Sequence, residues 1–131
     1  MIVKALIPSS ISAPFGRYAH GVEIPPNWRT VRSSGQLGLA LDGTIPTTVL
    51  EQARVCFANI SAILAEANMG PADVAHISGF VTDRAYFAEY MVARDAFMQG
   101  IDRPPASTLL IVSGFTKPEF LVEVEVMACA P

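Results

Sequence analysis

The sequence predicts an α+β sandwich with two helices on one face of a mixed sheet. Two long segments repeat apolar residues at three- and four-residue steps, the spacing of a single helix face. Six shorter runs are rich in β-branched and aromatic residues and are bounded by Gly, Pro, Asp or Asn. Their order is strands, helix, strand, helix, two strands, which sets both helices against one sheet. At 131 residues the chain fits one domain spanning 1–131, burying roughly two-thirds of the surface its unfolded form exposes. No internal repeat, low-complexity tract or linker divides it.

Taken in order, strand-like runs cover Ile2 to Ile7, Tyr18 to Ile24 and Trp28 to Gln36, and Asp42-Gly43 marks a turn. Thr48-Val49-Leu50-Glu51 has the S/T-x-x-E spacing of a capping box, so a helix starts there. Val49, Ala53, Cys56, Phe57, Ile60, Ile63, Leu64 and Ala67 form its apolar face, and Gly70-Pro71 supplies a stop. A strand follows over Val74 to Val81. Asp83 is a good N-cap for a shorter helix whose face carries Phe87, Tyr90, Met91, Arg94, Phe97 and Met98, ending at Gly100. Pro104-Pro105 stiffen the entry to a strand over Thr108 to Val112, where the apolar run from Leu109 predicts burial on both sides. The last strand, Phe120 to Cys129, alternates. Val122, Val124 and Val126 share one face and Glu123 and Glu125 the other.

Helices on one sheet face leave the other bare, and copies of the chain cover it most cheaply, placing clefts between subunits. Composition agrees with an oligomer. The chain is 51% hydrophobic and 16% charged, against roughly 25% charged for ordinary soluble domains. A net charge of −3 without a lysine or arginine cluster disfavours nucleic acid. Cys56 and Cys129 form no C-x-x-C pair, so no disulfide framework or zinc knuckle is indicated and a reducing cytoplasm fits. The apolar stretch before Pro8 is too short for a secretory segment, and no later run approaches a membrane span. His20 and His76 lack metal-ligand spacing and read as structural, and no phosphate-binding glycine motif is present.

A set of short motifs runs through almost the whole chain. Ala13-Pro14-Phe15-Gly16-Arg17-Tyr18 stands near the start, Ser34-Gly35-Gln36 after a strand, and Gln52 with Asn59-Ile60 in the long helix. Asp73-Val74, Phe80-Val81-Thr82-Asp83, Pro105-Ala106 and Val122-Glu123-Val124-Glu125 follow. In this order and spacing they resemble the Rid (YjgF) family of reactive-intermediate deaminases. The resemblance implies a chorismate-mutase-like fold with a mixed six-stranded sheet, a homotrimer, and clefts at subunit interfaces. It also implies hydrolysis of small imines or enamines to carbonyl compounds and ammonia, without metal or organic cofactor, as in 2-iminobutanoate/2-iminopropanoate deaminases.

Two departures stand out. The resemblance implies an arginine in the late strand that clamps the substrate carboxylate, and this chain has Ser107 there. Met91 falls where the resemblance implies an asparagine, so the expected pocket is less polar. The resemblance makes Glu123 the catalytic candidate, handling water; the structural alternative is pairing with a basic residue across an interface. Tyr18 is expected at the cleft wall, or else in core packing. Ser34 and Gly35 are expected in a cleft-lining loop, Gly35 allowing close backbone approach, or else in a strand-end turn. Ser107 and Leu109 are expected on the late strand beside the ligand. Arg32, two residues before Ser34 and on its face, is the favoured replacement cation, ahead of Arg17 and Arg103; the alternative is a solvated arginine. An imine deaminase with altered substrate range is the first function, a silent trimeric metabolite binder the second, and a ribonuclease or translation inhibitor the least favoured.

Overall fold

The strand that alternates valine with glutamate lies at the centre of the sheet. The computed structural model describes residues 1–131. In it, Val122–Ala130 pairs antiparallel with Val74–Val81 on one side, and with Arg29–Arg32 and Gln36–Leu37 on the other. Ala106–Ile111 runs parallel to Val74–Val81 at the far edge. Numbered along the chain, Lys4–Leu6 is β1, Gly21–Glu23 β2, Arg29–Arg32 β3, Gln36–Leu37 β4, Val74–Val81 β5, Ala106–Ile111 β6 and Val122–Ala130 β7. The main sheet has the order β3-β7-β5-β6, with β4 also beside β7, while β1 and β2 pair separately.

The mixed sheet is therefore five-stranded with a two-stranded companion, where six strands in one sheet were expected. The Trp28 to Gln36 run is interrupted at Ser33, whose hydroxyl accepts from the Val126 amide and whose own amide donates to the Val126 carbonyl, both at 3.0 Å. The Tyr18 to Ile24 run gives the main sheet only one bridge, Ala19 beside Ala106, with the Ala19 amide 2.8 Å from the Pro105 carbonyl. A second correction concerns β6. Apart from that bridge at Ala106 it pairs with β5 alone, so its apolar run is an edge rather than a doubly buried strand, and Leu110 and Ile111 remain 50% and 52% exposed.

Helix α1 spans Val49–Glu66 and helix α2 spans Phe87–Phe97. The Thr48 hydroxyl accepts from the Glu51 amide at 3.2 Å, but the return half of the capping box is replaced by a Glu51–Arg54 ion pair. The stop is Asn68 rather than Gly70. Asn68 adopts φ 56°, and the Met69 amide reaches back to the Leu64 carbonyl at 2.9 Å, the pattern of a Schellman ending. Asp83 accepts from the Ala85 amide as expected, although the first turn, Arg84–Tyr86, is a 3-10 turn.

The core lies between the helices and the valine face of β7. Val122, Val124, Ile77 and Val81 meet Ile60, Leu64 and Tyr90 there, all buried. One polar side chain sits inside it. The Gln52 amide donates to the Pro46 and Glu119 carbonyls, both at 2.8 Å, and accepts from the Leu121 amide at 2.9 Å. It fixes α1 against the start of β7, next to Glu123. Gly38 has no room for a side chain, since a Cβ would stand 2.6 Å from the Gln52 Cγ.

Gln52→Leu keeps the volume but leaves one amide and two carbonyls unpaired, so we expect a loss of about 3 kcal/mol of stability. Urea unfolding checks this; a loss under about 0.5 kcal/mol would mean that these groups find other partners.

Candidate functional site

Directly paired residues on neighbouring strands point to the same side of a sheet. Glu123 lies opposite Phe80, Glu125 opposite Ser78 and Met127 opposite His76. These form the face away from the helices. On the helix face, β6 sets Ser107 beside Ile77 and Leu109 beside Gly79. Ser107 and Glu123 consequently stand on opposite sides of one sheet.

On the helix side, Tyr18, Met91, Ser107 and Leu109 line a single cavity of about 700 Å³ between α2, β6 and the loop before β2. The Ala19–Pro105 hydrogen bond pins that loop to β6 and so positions Tyr18. The Tyr18 ring meets Phe15 edge-on at 5.7 Å, and its hydroxyl accepts from the Phe15 amide at 3.4 Å. Phe15 itself is 90% exposed at the rim.

The cavity also contains a cation to which the sequence assigned no role. Arg94, one turn along α2 from Met91, is buried, and its Nη1 donates to the Ser107 hydroxyl at 3.2 Å. Its Nη2 meets Asp95 Oδ1, also at 3.2 Å. Arg17 and Arg84 line the same cavity. Three guanidinium groups and one carboxylate thus line the cavity beside the apolar Met91. The signal was present in the helical spacing, which placed an arginine on the same stripe as Tyr90 and Phe97. Periodicity identifies such a position but not what it touches.

The other expected residues lie on the opposite face. Gly35 packs directly on Glu123, where a Cβ would stand 2.6 Å from the carboxyl carbon. Partial burial, with the neighbouring Glu125 charge second, raises the Glu123 pKa above the usual carboxylate value. Ser34 and Arg32 are exposed, and Arg32 forms an ion pair with neither glutamate. Within one chain the sheet separates Arg32 from Ser107. Arg103 is engaged elsewhere, donating to the Ala72 and Val74 carbonyls, both at 3.0 Å. His20 stands 2.7 Å from the Ser12 carbonyl, and His76 neighbours the Ser78 and Thr108 hydroxyls. No three His, Cys, Asp or Glu side chains are grouped to hold a metal ion. No helix is long and apolar enough to cross a membrane.

Residues 9–130 match the endoribonuclease L-PSP family. The chain belongs to that family. Solved structures agree with this assignment. A Yersinia pestis protein of the conserved Rid family, YyfB, of unknown function, is 29% identical with TM-score 0.87, covering 99% of this chain and 100% of that one. The Escherichia coli YjgF gene product is 26% identical with TM-score 0.73, covering 98% and 99%. Escherichia coli TdcF, solved with bound serine, is 25% identical with TM-score 0.73, covering 98% and 100%. No curated protein matches the sequence. The L-PSP/Rid fold thus accounts for the helices, the mixed sheet and their order.

The raised Glu123 pKa has a definite sign in stability. A carboxyl whose folded-state pKa lies above its unfolded value favours folding below the unfolded pKa, and loses that contribution as pH rises through the folded pKa. We therefore expect Glu123→Gln to melt above the wild type at pH 7, with the gain shrinking towards pH 4. We also expect Glu125→Gln to lower the Glu123 pKa in an NMR titration. An unchanged Glu123 titration in that variant would assign the whole shift to burial.

Proposed function

We propose that this L-PSP-family chain hydrolyses a small imine or enamine to a carbonyl compound and ammonia, in clefts between the subunits of a cytoplasmic homotrimer. One observation carries the reading. Tyr18, Met91 and Ser107 surround the cavity on the helix side, while Glu123 and Gly35 lie on the bare side. No ligand can touch both sets in one chain. A second copy that lays its bare face over the cavity mouth brings them together, and in doing so covers exposed Phe15 and Ile111.

In such a cleft Glu123 supplies the proton transfers. Water adds across C=N as the carboxylate takes a water proton and passes it to the imine nitrogen, and the resulting carbinolamine loses ammonia as the carboxylate takes the hydroxyl proton and delivers it to the departing nitrogen. The C–N bond breaks, the carbonyl forms, and no electrons are gained or lost. A carboxyl with a raised pKa suits both halves, because proton transfer is most effective when the pKa approaches the working pH. The serine bound to TdcF supports a ligand of amino-acid size in this fold. One feature favours a second reading as a silent metabolite binder: position 107 carries only a hydroxyl.

The deciding assay is ammonia release from 2-imino acids generated in place by an amino-acid oxidase. We expect release above the protein-free rate, and a loss of about 10²- to 10⁴-fold in Glu123→Gln, the usual contribution of a positioned general acid–base. No release by the wild type, with the ligand still bound, would leave the silent binder. Sedimentation equilibrium tests the trimer independently.

A further inference from the structure

The most unusual side chain in the molecule is Arg94. A guanidinium stays charged at any pH a protein tolerates and is costly to bury unless its charge and its donors are satisfied. Arg94 is only 3% exposed. Its one carboxylate contact is a single bond, Nη2 to Asp95 Oδ1 at 3.2 Å, and Asp95 is itself 39% exposed. Its other bond goes to a neutral hydroxyl, Ser107 Oγ, at 3.2 Å. A guanidinium has five N–H donors, so most of the fork is left for something else.

Arg94 and Ser107 both line the cavity, and no Arg94 nitrogen is buried without a partner. We propose that Arg94, approaching from α2, is the specificity-determining residue of this cleft. It binds the carboxylate of the ligand with Ser107 as its positioning partner. Ser107 Oγ accepts from Arg94, which leaves the serine hydroxyl proton free to donate to the same anion. A planar carboxylate matches the guanidinium fork in a way that a neutral carbonyl does not. Val81, Phe87, Met91 and Leu109 supply apolar wall, so the ligand carries a short apolar group beside its carboxylate. Arg17 and Arg84, exposed and lining the same cavity, add positive potential that attracts the anion.

This assignment rests on the cleft proposed above and makes a claim that the cleft does not. Ser107 already touches the Arg94 guanidinium, so Ser107→Arg would force two cations together in a partly desolvated site. An arginine at 94 and an arginine at 107 are therefore alternatives. The two single replacements should each be harmful, and the exchange should be tolerated.

The test is binding, read without turnover. 2-Oxobutanoate and its neutral amide are titrated into isotopically labelled protein and followed by NMR. We expect the wild type to bind the carboxylate at least about 10-fold more tightly than the amide, as a charge-assisted fork requires. Arg94→Gln should lose that preference, Arg94→Lys should keep part of it, Ser107→Arg should weaken it, and Arg94→Gln/Ser107→Arg should recover it. If Arg94→Gln fails to fold, the wild-type preference and the shift of the Arg94 guanidinium resonances on adding 2-oxobutanoate decide the matter. Equal binding of acid and amide by the wild type overturns the proposal. So does a folded Arg94→Gln that keeps the preference, or a wild type whose Arg94 resonances do not move. Carboxylate preference without ammonia release removes the deaminase reading and leaves this one standing; ammonia release indifferent to Arg94 does the reverse.

Discussion

Everything in this fold hangs on the two-sided character of β7. As the central strand it must bond on both edges, to β5 on one side and to β3 and β4 on the other, so it cannot slide without breaking two ladders. Its period of two then sends Val122, Val124 and Val126 into the core and Glu123 and Glu125 to the open face. A one-residue slip would bury both carboxylates under the helices, at a cost no gain on the other face could offset. The Gln52 amide adds a local constraint, binding the backbone just before β7 at Leu121 and Glu119. The position of Glu123 thus follows from packing on the side it does not face.

The parts of the fold that were legible in the sequence are those set by local chemistry. The apolar periods of the two helices, the Thr48 and Asp83 caps and the valine–glutamate alternation each depend on residues within one or two turns. What was not legible depends on partners distant in the chain. The Leu109 to Val112 run looks like an interior strand because all its residues are apolar, yet β6 has one neighbour and keeps Leu110 and Ile111 exposed. The split at Ser33 depends on Val126, and the early end of α1 depends on Asn68 accepting a left-handed conformation that a Gly70-Pro71 stop made unnecessary to suppose.

The candidate site divides along the same line. The resemblance supplied positions along the strands, and Tyr18, Met91, Ser107 and Leu109 do share a cavity. Of the replacement cations suggested by the sequence, Arg17 lines that cavity, whereas Arg32 and Arg103 lie elsewhere. The guanidinium that reaches Ser107 lies 13 residues upstream, on a different element. Strand parity explains why Arg32 was attractive and why it sits apart. It shares a face with Met127, on the far side of the sheet from Ser107.

The charge distribution separates the functions that the family name leaves open. The chain is acidic overall, at −3, yet its largest concave surface holds three arginines and one aspartate. A polyanion such as RNA meets the field of the whole face, needing cations spread along a path of several phosphates. Here three of the nine basic residues are gathered into one cavity of about 700 Å³, and the opposite sheet face presents Glu123 and Glu125 against a single arginine, Arg32. A small monoanion meets the opposite balance. It is repelled weakly at long range and attracted strongly at short range, where the low-dielectric walls of a cleft focus the field of the guanidinium groups. The proposed reading therefore rests on a charge balance, an acidic surface with a cationic cavity, that favours a small, singly charged ligand able to enter completely over a polymer that cannot.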